Sequence, residues 1–252
     1  NMYIAEPYSL FADFYDSAMG KDIFSKIRDI FERLLQRHRI GFSSAADLGC
    51  GTGLFARYLN SRWNAPVFGV DLSPAMLRIA SENCRDSGVK LMRQDIRQLC
   101  LPHGVDLITA NFDTVNHLVG DEDLPQLFRG VYKNLNSGGH FIFDIITPCN
   151  PPQGTRVYRG RFRSSFKQAI QQIRWNPKRQ ILFSQITFSS PRTTLYKIER
   201  HCERAYWPRQ VASWLMDAGF IIRDVLDAKT LRKATFCPTR IIVVTQKPVN
   251  AR

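Results

Sequence analysis

The strongest constraint on the fold is a glycine-rich stretch in the first quarter of the chain, Ala46-Asp47-Leu48-Gly49-Cys50-Gly51-Thr52-Gly53. A small apolar run leads into an acidic residue, three glycines alternate with other residues, and residues 54–59 have the apolar pattern of a helix. Glycine lets a ligand approach the backbone closely, and the first turn of a helix leaves N–H groups without partners. The stretch therefore predicts a strand, a tight turn and a helix at a ligand-binding site.

A second acidic residue ends the next apolar run, Val67-Phe68-Gly69-Val70-Asp71. Nucleotide-binding α/β folds place such an acid about 20 residues on, where it binds ribose hydroxyls, and Asp71 follows Gly53 by 18 residues. Two alternatives remain open on these features alone. One is a plain tight turn, and the other is a dinucleotide-binding fold, although Leu54 occupies the place of that fold's third glycine.

The acid at position 47 and the glycine spacing together, Asp47-x-Gly49-x-Gly51-x-Gly53, resemble the first motif of the class I methyltransferases, which bind S-adenosylmethionine (SAM). Three further segments resemble that family in the same order. They are Val70-Asp71-Leu72-Ser73, Gln94-Asp95-Ile96 and Asp106-Leu107-Ile108-Thr109-Ala110-Asn111-Phe112-Asp113. Each residue alone is weak evidence, but the order of the segments is specific. The resemblance implies a methyltransferase with SAM as its cofactor.

The resemblance also implies which residues bind the cofactor. Asp71 would accept hydrogen bonds from the ribose hydroxyls, Asp95 would accept one from the adenine amino group, and Asn111 would lie beside the sulfonium. Tyr15 would bind the carboxylate of SAM, with simple packing as the alternative. The full set that the resemblance implies is Tyr15, Asp47, Gly49, Cys50, Gly51, Asp71, Leu72, Met76, Asp95, Ile96 and Asn111.

Over nearly its whole length the chain resembles small bacterial methyltransferases with a β-sheet cap, a group that includes N-methyltransferases of nucleotide-linked aminosugars. The matching segments are residues 11–16, 112–118 and 201–206. Sugar N-methyltransferases of this type have a histidine near the acceptor, which implies that His117 is a catalytic base with an ionisation near neutral pH. A local hydrogen-bonding role is the alternative for His117, and His201 is the second catalytic candidate.

The apolar pattern predicts alternating strands and helices followed by a segment with a period of two residues. We therefore expect an α/β fold, a doubly wound Rossmann-like sheet of seven mostly parallel strands with an inserted antiparallel β cap. The predicted organisation is a helical lid over residues 1–40, a cofactor-binding domain over residues 41–150 and 207–252, and the cap over residues 151–206.

Most of the positive charge lies in the predicted cap. Residues 151–206 hold twelve arginines and lysines against Glu199 and Glu203, so they carry +10 of the chain's net charge of +13. Arg159, Arg161 and Arg163 would share one face of a strand over residues 158–166. Guanidinium groups bind phosphates and carboxylates, so these three arginines predict an anionic acceptor. A solvated outer face is the alternative.

Composition narrows the remaining possibilities. The six cysteines are widely scattered with no Cys-x-x-Cys pair, which argues against a zinc site and a disulfide framework. No run approaches the ~20 apolar residues that cross a bilayer, and the N-terminus lacks a basic-then-apolar signal pattern. We expect a cytoplasmic protein with no metal and no membrane partner.

The predicted function is transfer of a methyl group to a nitrogen or oxygen of a small, anionic or nucleotide-linked molecule. An RNA methyltransferase is the first alternative, because a basic cap could bind phosphates along an RNA. A SAM-binding protein without catalysis is the second. The sequence leaves the oligomeric state open, with a homodimer as one option.

Overall fold

The computed structural model describes residues 2–159, 168–190, 193–235 and 238–249; the side chains of residues 2, 3, 159, 190 and 193–196 are not described. The strands are β1 Met2–Ala5, β2 Ala45–Leu48, β3 Val67–Asp71, β4 Val89–Arg93, β5 Val105–Ala110, β6 Leu135–Ile146, β7 Gly154–Arg159, β8 Gln168–Asn176, β9 Ile181–Ser190, β10 Thr193–Arg204, β11 Ile221–Asp227 and β12 Arg240–Gln246. The helices are α1 Ala12–Tyr15, α2 Lys21–His38, α3 Leu54–Trp63, α4 Pro74–Asn83, α5 Asp123–Asn134 and α6 Pro208–Asp217. A π-helical turn, Asp16–Gly20, joins α1 to α2, and two 3₁₀ turns cover Ile96–Gln98 and Val115–His117.

The larger sheet has seven strands in the order β11-β12-β6-β5-β2-β3-β4. Strands β2 to β6 pair in parallel, and β12 is antiparallel to both β6 and β11. Apolar residues of α2 and α3 pack on one face, and those of α5 and α6 pack on the other. Because both faces are covered, the central strands are almost wholly apolar. The predicted doubly wound, mostly parallel fold is confirmed.

Local sequence explains how the elements around the glycine turn begin. Ser73 caps α4, because its hydroxyl accepts a hydrogen bond from the N–H of Met76 at 3.3 Å, and Pro74 supplies the first helical residue. The turns that end β2 and β3 therefore both lead directly into helices. This arrangement places Gly49 to Gly53 and Asp71 at the carboxyl edge of the sheet, where parallel α/β folds bind ligands.

The smaller sheet has five strands in the order β1-β10-β9-β8-β7. Strands β7 to β10, which lie in the segment predicted as an inserted antiparallel cap, are antiparallel, and β1 adds to this sheet by pairing in parallel with β10. Strand β1 comes from the N-terminal segment that the sequence predicted as a helical lid, and its four residues are too short a run to show a period. Strand β8 was not predicted either, because its sequence, Gln-Ala-Ile-Gln-Gln-Ile-Arg-Trp-Asn, does not alternate strictly.

The N-terminal segment lies between the two sheets. Phe11 and Phe14 pack against Phe188 and other buried residues of the smaller sheet. Ala12, on the opposite side of the same turn, packs against Met76 of α4. The segment thus fastens the smaller sheet to the cofactor side of the larger one.

The arginines predicted to share one strand face lie largely outside the described part of the chain. Arg161 and Arg163 lie outside the described residues, and only the backbone of Arg159 is described. Cys149 is disulfide-bonded, which the cysteine spacing did not predict. None of the helices in the described part of the chain combines the length and the apolar character that a membrane span requires.

Candidate active site

The glycine turn adopts a backbone that only glycine accommodates easily. Gly49, Gly51 and Gly53 have φ angles of 61°, 55° and 80°. A side chain at Gly49 would overlap that of Thr114, whereas a Cβ at Gly51 would meet nothing within 4 Å. Gly49 is therefore needed for packing, and Gly51 leaves open space beside its backbone.

This open space belongs to a cavity of about 60 Å³, here called the loop cavity. Its wall includes Phe112 and residues of the glycine turn and of α2. Six of the eleven residues implied for cofactor binding line it, namely Tyr15, Asp47, Gly49, Cys50, Gly51 and Asn111. The structure thus brings together the residues that the resemblance assigned to the amino-acid end of the cofactor.

Two carboxylates lie beside the glycine turn: Asp47 is buried and lines the loop cavity, whereas Asp71 is half-buried and does not line it. Asp71 accepts hydrogen bonds from the N–H groups of Gly51 and Ser73, both at 2.8 Å. Asp47 accepts one from the hydroxyl of Thr109, also at 2.8 Å. Burial raises the pKa of Asp71, and it raises the pKa of Asp47 to about 7. Such carboxylates gain most from a cationic ligand, which fits the positively charged sulfonium and amino groups of SAM.

The residues implied for the adenine end of the cofactor differ in their exposure and in their hydrogen-bond partners. Leu72 is 58% exposed, while Met76 is buried under Ala12. The carboxylate of Asp95 is bound by the guanidinium of Arg97 at 3.0 Å, and this hydrogen bond lowers the pKa of Asp95. Ile96 packs on the core of the larger sheet. These residues lie outside the loop cavity, and Arg97 is a partner of Asp95 that sequence reasoning missed.

A second cavity, of about 90 Å³, lies between the smaller sheet and the carboxyl edge of the larger one and is here called the interface cavity. It shares Tyr15 and Phe112 with the loop cavity. The polar side chains in its wall come from distant parts of the chain. They are Tyr8, Tyr15, Asp113, Arg156, Gln171, Ser184, His201, Glu203 and Arg240.

Two wall residues, His201 and Asp113, have a buried polar atom without a hydrogen-bond partner among the described residues, and that of Asp113 is ion-paired with Arg240. The Nε2 of His201 lies 3.2 Å from an oxygen of Glu199, and its Nδ1 is the atom without a partner. Only 5% of His201 and none of Glu199 is exposed. A carboxylate accepts hydrogen bonds, so Nε2 carries the proton in the neutral ring and Nδ1 keeps a lone pair. That lone pair is without a partner among the described residues, in a side chain that lines the interface cavity.

Glu199 also holds the loop that precedes α1. Its carboxylate accepts hydrogen bonds from the N–H groups of Tyr8 at 3.2 Å and Phe11 at 2.9 Å, and from that of Leu10. One buried carboxylate therefore orients both His201 and the loop that carries Tyr8. Buried carboxylates are retained when several donors satisfy them in this way.

His117 lies behind Tyr8 and does not line the interface cavity. Its Nε2 is 2.9 Å from the Tyr8 hydroxyl. Burial lowers the pKa of His117 to about 4, against a weaker effect of a hydrogen bond with the backbone of Cys202. The expected ionisation near neutral pH is therefore displaced downward. Asn116 fixes the turn by hydrogen bonds to backbone atoms of β6 and β10.

The charged residues of the interface cavity differ in how they are paired. Arg240 forms ion pairs with Asp113, at 2.6 Å, and with Asp144. Burial raises the pKa of Glu203 to about 8, and the charge of Asp113 adds to this shift. Arg156, in contrast, forms no hydrogen bond or ion pair with any described residue. It is the one of these two arginines whose charge is available to a ligand.

Sequence reasoning missed Tyr8, Arg156, Glu199, Glu203 and Arg240 as wall or support residues of this cavity. One signal was present for two of them. Glu199 and Glu203 are the only acidic residues in the strongly basic segment from residue 151 to residue 206. An isolated acid among arginines that lies in a strand is a candidate for a buried, hydrogen-bonded role.

Comparisons with known proteins agree with this geometry. Residues 45–139 match the methyltransferase domain family. A protein of Geobacillus sp. (strain WCH70), provisionally named a methyltransferase, is 26% identical over 251 residues, which cover 95% of this chain and 99% of that protein. The dTDP-3-amino-3,6-dideoxy-alpha-D-glucopyranose N,N-dimethyltransferase of Streptomyces fradiae is 32% identical over 121 residues, which cover 48% of this chain and 44% of that enzyme.

Among solved structures, a SAM-dependent methyltransferase from Clostridium acetobutylicum has a TM-score of 0.78 and 27% identity, and the match covers 96% of this chain and 99% of that one. The likeness therefore extends over both sheets and over the N-terminal segment between them. The match to the methyltransferase domain, the sheet order and this likeness show a SAM-dependent methyltransferase with the Rossmann-like fold of class I methyltransferases.

Proposed function

We propose that this methyltransferase acts on a nitrogen or oxygen of a small, anionic or nucleotide-linked molecule that binds in the interface cavity. The observation that carries the proposal is the unpartnered Nδ1 of His201, held by Glu199 in a cavity that adjoins the loop cavity. A base oriented by a third group and facing the acceptor is the arrangement that proton-dependent transfer needs.

SAM, when bound, supplies an electrophilic methyl group whose C–S bonding electrons leave with the sulfur. We assign its amino-acid end to Tyr15, Asp47, Gly49, Gly51 and Asn111, because these residues line the loop cavity. The ribose hydroxyls would be bound by Asp71, which stands beside Gly51. The adenine would lie toward Leu72, Met76, Asp95 and Ile96, with Asp95 shared between it and Arg97.

His201 would accept the acceptor's proton as the acceptor's lone pair forms the new bond to carbon. The proton moves to Nδ1, and the imidazolium that results is stabilised by the carboxylate of Glu199. General base catalysis of this kind contributes about 10²–10⁴-fold to a rate. The geometry thus favours the second sequence candidate, His201, for direct contact with the acceptor.

His117 would act through Tyr8. Its low pKa keeps the ring neutral, and a neutral Nε2 accepts the proton of the Tyr8 hydroxyl. The phenol oxygen is then directed to accept a hydrogen bond from the acceptor. Burial also raises the pKa of Tyr8 well above its usual value, so the phenol stays neutral.

Two observations support a small anionic acceptor. Arg156 offers an unpaired guanidinium at the wall, and Glu203, with a pKa near 8, is mostly protonated at neutral pH and does not repel an anion. The partial relative from Streptomyces fradiae is named for a nucleotide-linked aminosugar. An additional contribution from Arg159, Arg161 and Arg163 remains a proposal.

The test is a SAM-turnover screen against a metabolite library with total RNA included. We expect saturable turnover of an anionic or nucleotide-linked metabolite, and loss of that turnover in His201→Asn with SAM affinity retained. Turnover of RNA that falls steeply with salt would replace the proposal by the RNA alternative, because phosphate contacts release counterions. If the His201→Asn variant is fully active, His201 is not the base of the reaction.

A further inference from the structure

A third and larger cavity, of about 440 Å³, lies between α2 and the β6–β12 part of the larger sheet. It is here called the α2 groove. Its walls are mostly apolar, with Ile27, Ile30 and Phe31 on the helix side and Ile142 and Ile242 on the sheet side. The volume is within the range of about 300–1,000 Å³ that is typical of small-molecule sites. Neither the proposed cofactor residues nor the proposed base requires so large an apolar space.

The α2 groove shares wall residues with both cavities already described. It shares Met19, Phe112, Arg156 and Arg240 with the interface cavity. It also shares Asn111 and Phe112 with the loop cavity. A molecule that reaches from the interface cavity into the groove would therefore pass directly beside the position of the transferred methyl group.

The charges at the junction differ from those at the outer end. Asp144 lines the groove, but its charge is compensated by Arg240. Arg156, at the same junction, has no ion-pair partner in the described part of the chain, whereas Asp22 and Lys26 on α2 carry opposite charges. The groove thus combines an apolar body with one available cation at the end that meets the active site.

We propose that the α2 groove binds an aliphatic or aryl portion of the methyl acceptor while Arg156 pairs with the acceptor's anionic group. This inference rests on the proposed function and narrows its acceptor class to amphipathic anions, such as carboxylates or phosphate esters with an apolar body. Burial of apolar ligand surface against these walls supplies the free energy of binding, at roughly 25 cal/mol per Å². The cation fixes the orientation of the ligand rather than its affinity.

The test uses two fluorescent probes, 1-anilinonaphthalene-8-sulfonate, which is an amphipathic anion, and the neutral N-phenyl-1-naphthylamine. Ala228→Phe fills the groove, because Ala228 lines it and neither of the other cavities. Ala212→Phe is the matched control, since Ala212 is another half-buried alanine but belongs to α6 and lines none of the three cavities. SAM affinity, measured by calorimetry, reports whether each variant is folded.

We expect Ala228→Phe to weaken the binding of both probes by about tenfold or more, because the larger side chain overpacks the groove. The affinity for SAM should stay unchanged. Arg156→Gln should weaken the binding of the anionic probe alone, by about threefold, because a partly exposed ion pair contributes little to affinity. If Ala228→Phe does not fold, Ala18→Phe fills the groove from the opposite wall. Probe binding that is absent from the wild type, or that survives both fillings, would overturn the inference.

These outcomes are separable from failure of the proposed function. Probe binding that survives groove filling, together with turnover of a polar metabolite, would remove the groove from the acceptor site and leave methyl transfer intact. Groove-dependent probe binding, together with turnover of RNA alone, would instead overturn the small-molecule acceptor. An acceptor found in the screen should displace the anionic probe from the wild type.

Discussion

The loop cavity and the interface cavity are built from the chain in different ways. The loop cavity is held by contacts between neighbouring strands and turns, such as the hydrogen bond from Gly51 to Asp71, which are 20 residues apart. The interface cavity depends on Glu199 binding the loop of Tyr8 and Phe11 across 188 to 191 residues. The first site is local enough to form a sequence motif, whereas the second exists only after both sheets have assembled.

This difference has a functional counterpart. The loop cavity presents backbone N–H groups and a buried carboxylate, which suit one invariant ligand, the cofactor. The interface cavity presents side chains from the smaller sheet and from the N-terminal segment, where replacements alter the acceptor without disturbing the parallel sheet. The variants below test whether the two sites can be damaged separately.

The largest effect is expected for His201→Asn. Loss of the proposed base should reduce kcat by about 10²–10⁴-fold, with SAM affinity unchanged. Single-turnover kinetics with an acceptor from the screen would measure it. His140→Asn is the control, because this histidine lines none of the three cavities. Near-normal turnover in His201→Asn would leave alignment of the reactants as the main source of rate.

Asp71→Ala should weaken binding at the proposed cofactor site. We expect SAM affinity to fall by about 10–100-fold, because two charge-assisted hydrogen bonds to the ribose are lost and water compensates only in part. Titration calorimetry on the wild type and the variant measures the change, and thermal unfolding controls for the hydrogen bonds to Gly51 and Ser73. Unchanged affinity would place the ribose elsewhere.

Glu199→Gln tests the link between the smaller sheet and the N-terminal loop. We expect kcat to fall by about tenfold and stability to fall by about 1.5–3 kcal/mol, because hydrogen bonds to a charged acceptor are lost. The KM for SAM should stay unchanged, because Glu199 lines neither the loop cavity nor the interface cavity. Glu6→Gln, at an exposed acid of the same loop, is the control. A loss of stability with an unchanged kcat would make Glu199 purely structural.

The sequence predicted far more of the first site than of the second. The seven-stranded, mostly parallel sheet follows from the alternation of apolar strands and helices, and six wall residues of the loop cavity follow from motifs of a few residues. The role of Glu199 does not, because hydrogen bonds across nearly the whole chain leave no periodic signal. Strand β1 and its parallel pairing with β10 were missed for the same reason.

The position of each charged partner was equally inaccessible from sequence. The sequence shows that cations concentrate in residues 151–206, but not that Arg156, among the described residues of this segment, lines the interface cavity. The displaced pKa of His117 arises from burial behind Tyr8, which depends on the packing of three separate segments. Side-chain pairing and desolvation are properties of the assembled fold.

Asp47 provides a test by pH. Burial raises its pKa to about 7, so the carboxyl is partly protonated at neutral pH before SAM binds. A cationic ligand favours the ionised form, so binding should release about half a proton at pH 7, and affinity should rise by up to about tenfold between pH 6 and pH 8. Calorimetry in two buffers of different ionisation enthalpy measures the proton, and Asp47→Asn should abolish it. Proton uptake on binding would contradict this sign.

The smallest effect is expected for the arginines of the smaller sheet, and it separates the cavity wall from the rest of the basic segment. Arg156→Gln should raise the KM for an anionic acceptor by about threefold with kcat retained, because a partly exposed ion pair contributes little and binds ground and transition states alike. Glutamine at Arg159, Arg161 and Arg163 together tests the prediction made from strand alternation, and we expect a further increase in KM of similar size. An acceptor KM within a factor of about two of the wild type would mean that these three arginines face only water. The acceptor's anionic group would then be recognised by Arg156 alone, and the loop cavity should bind SAM normally in every one of these variants.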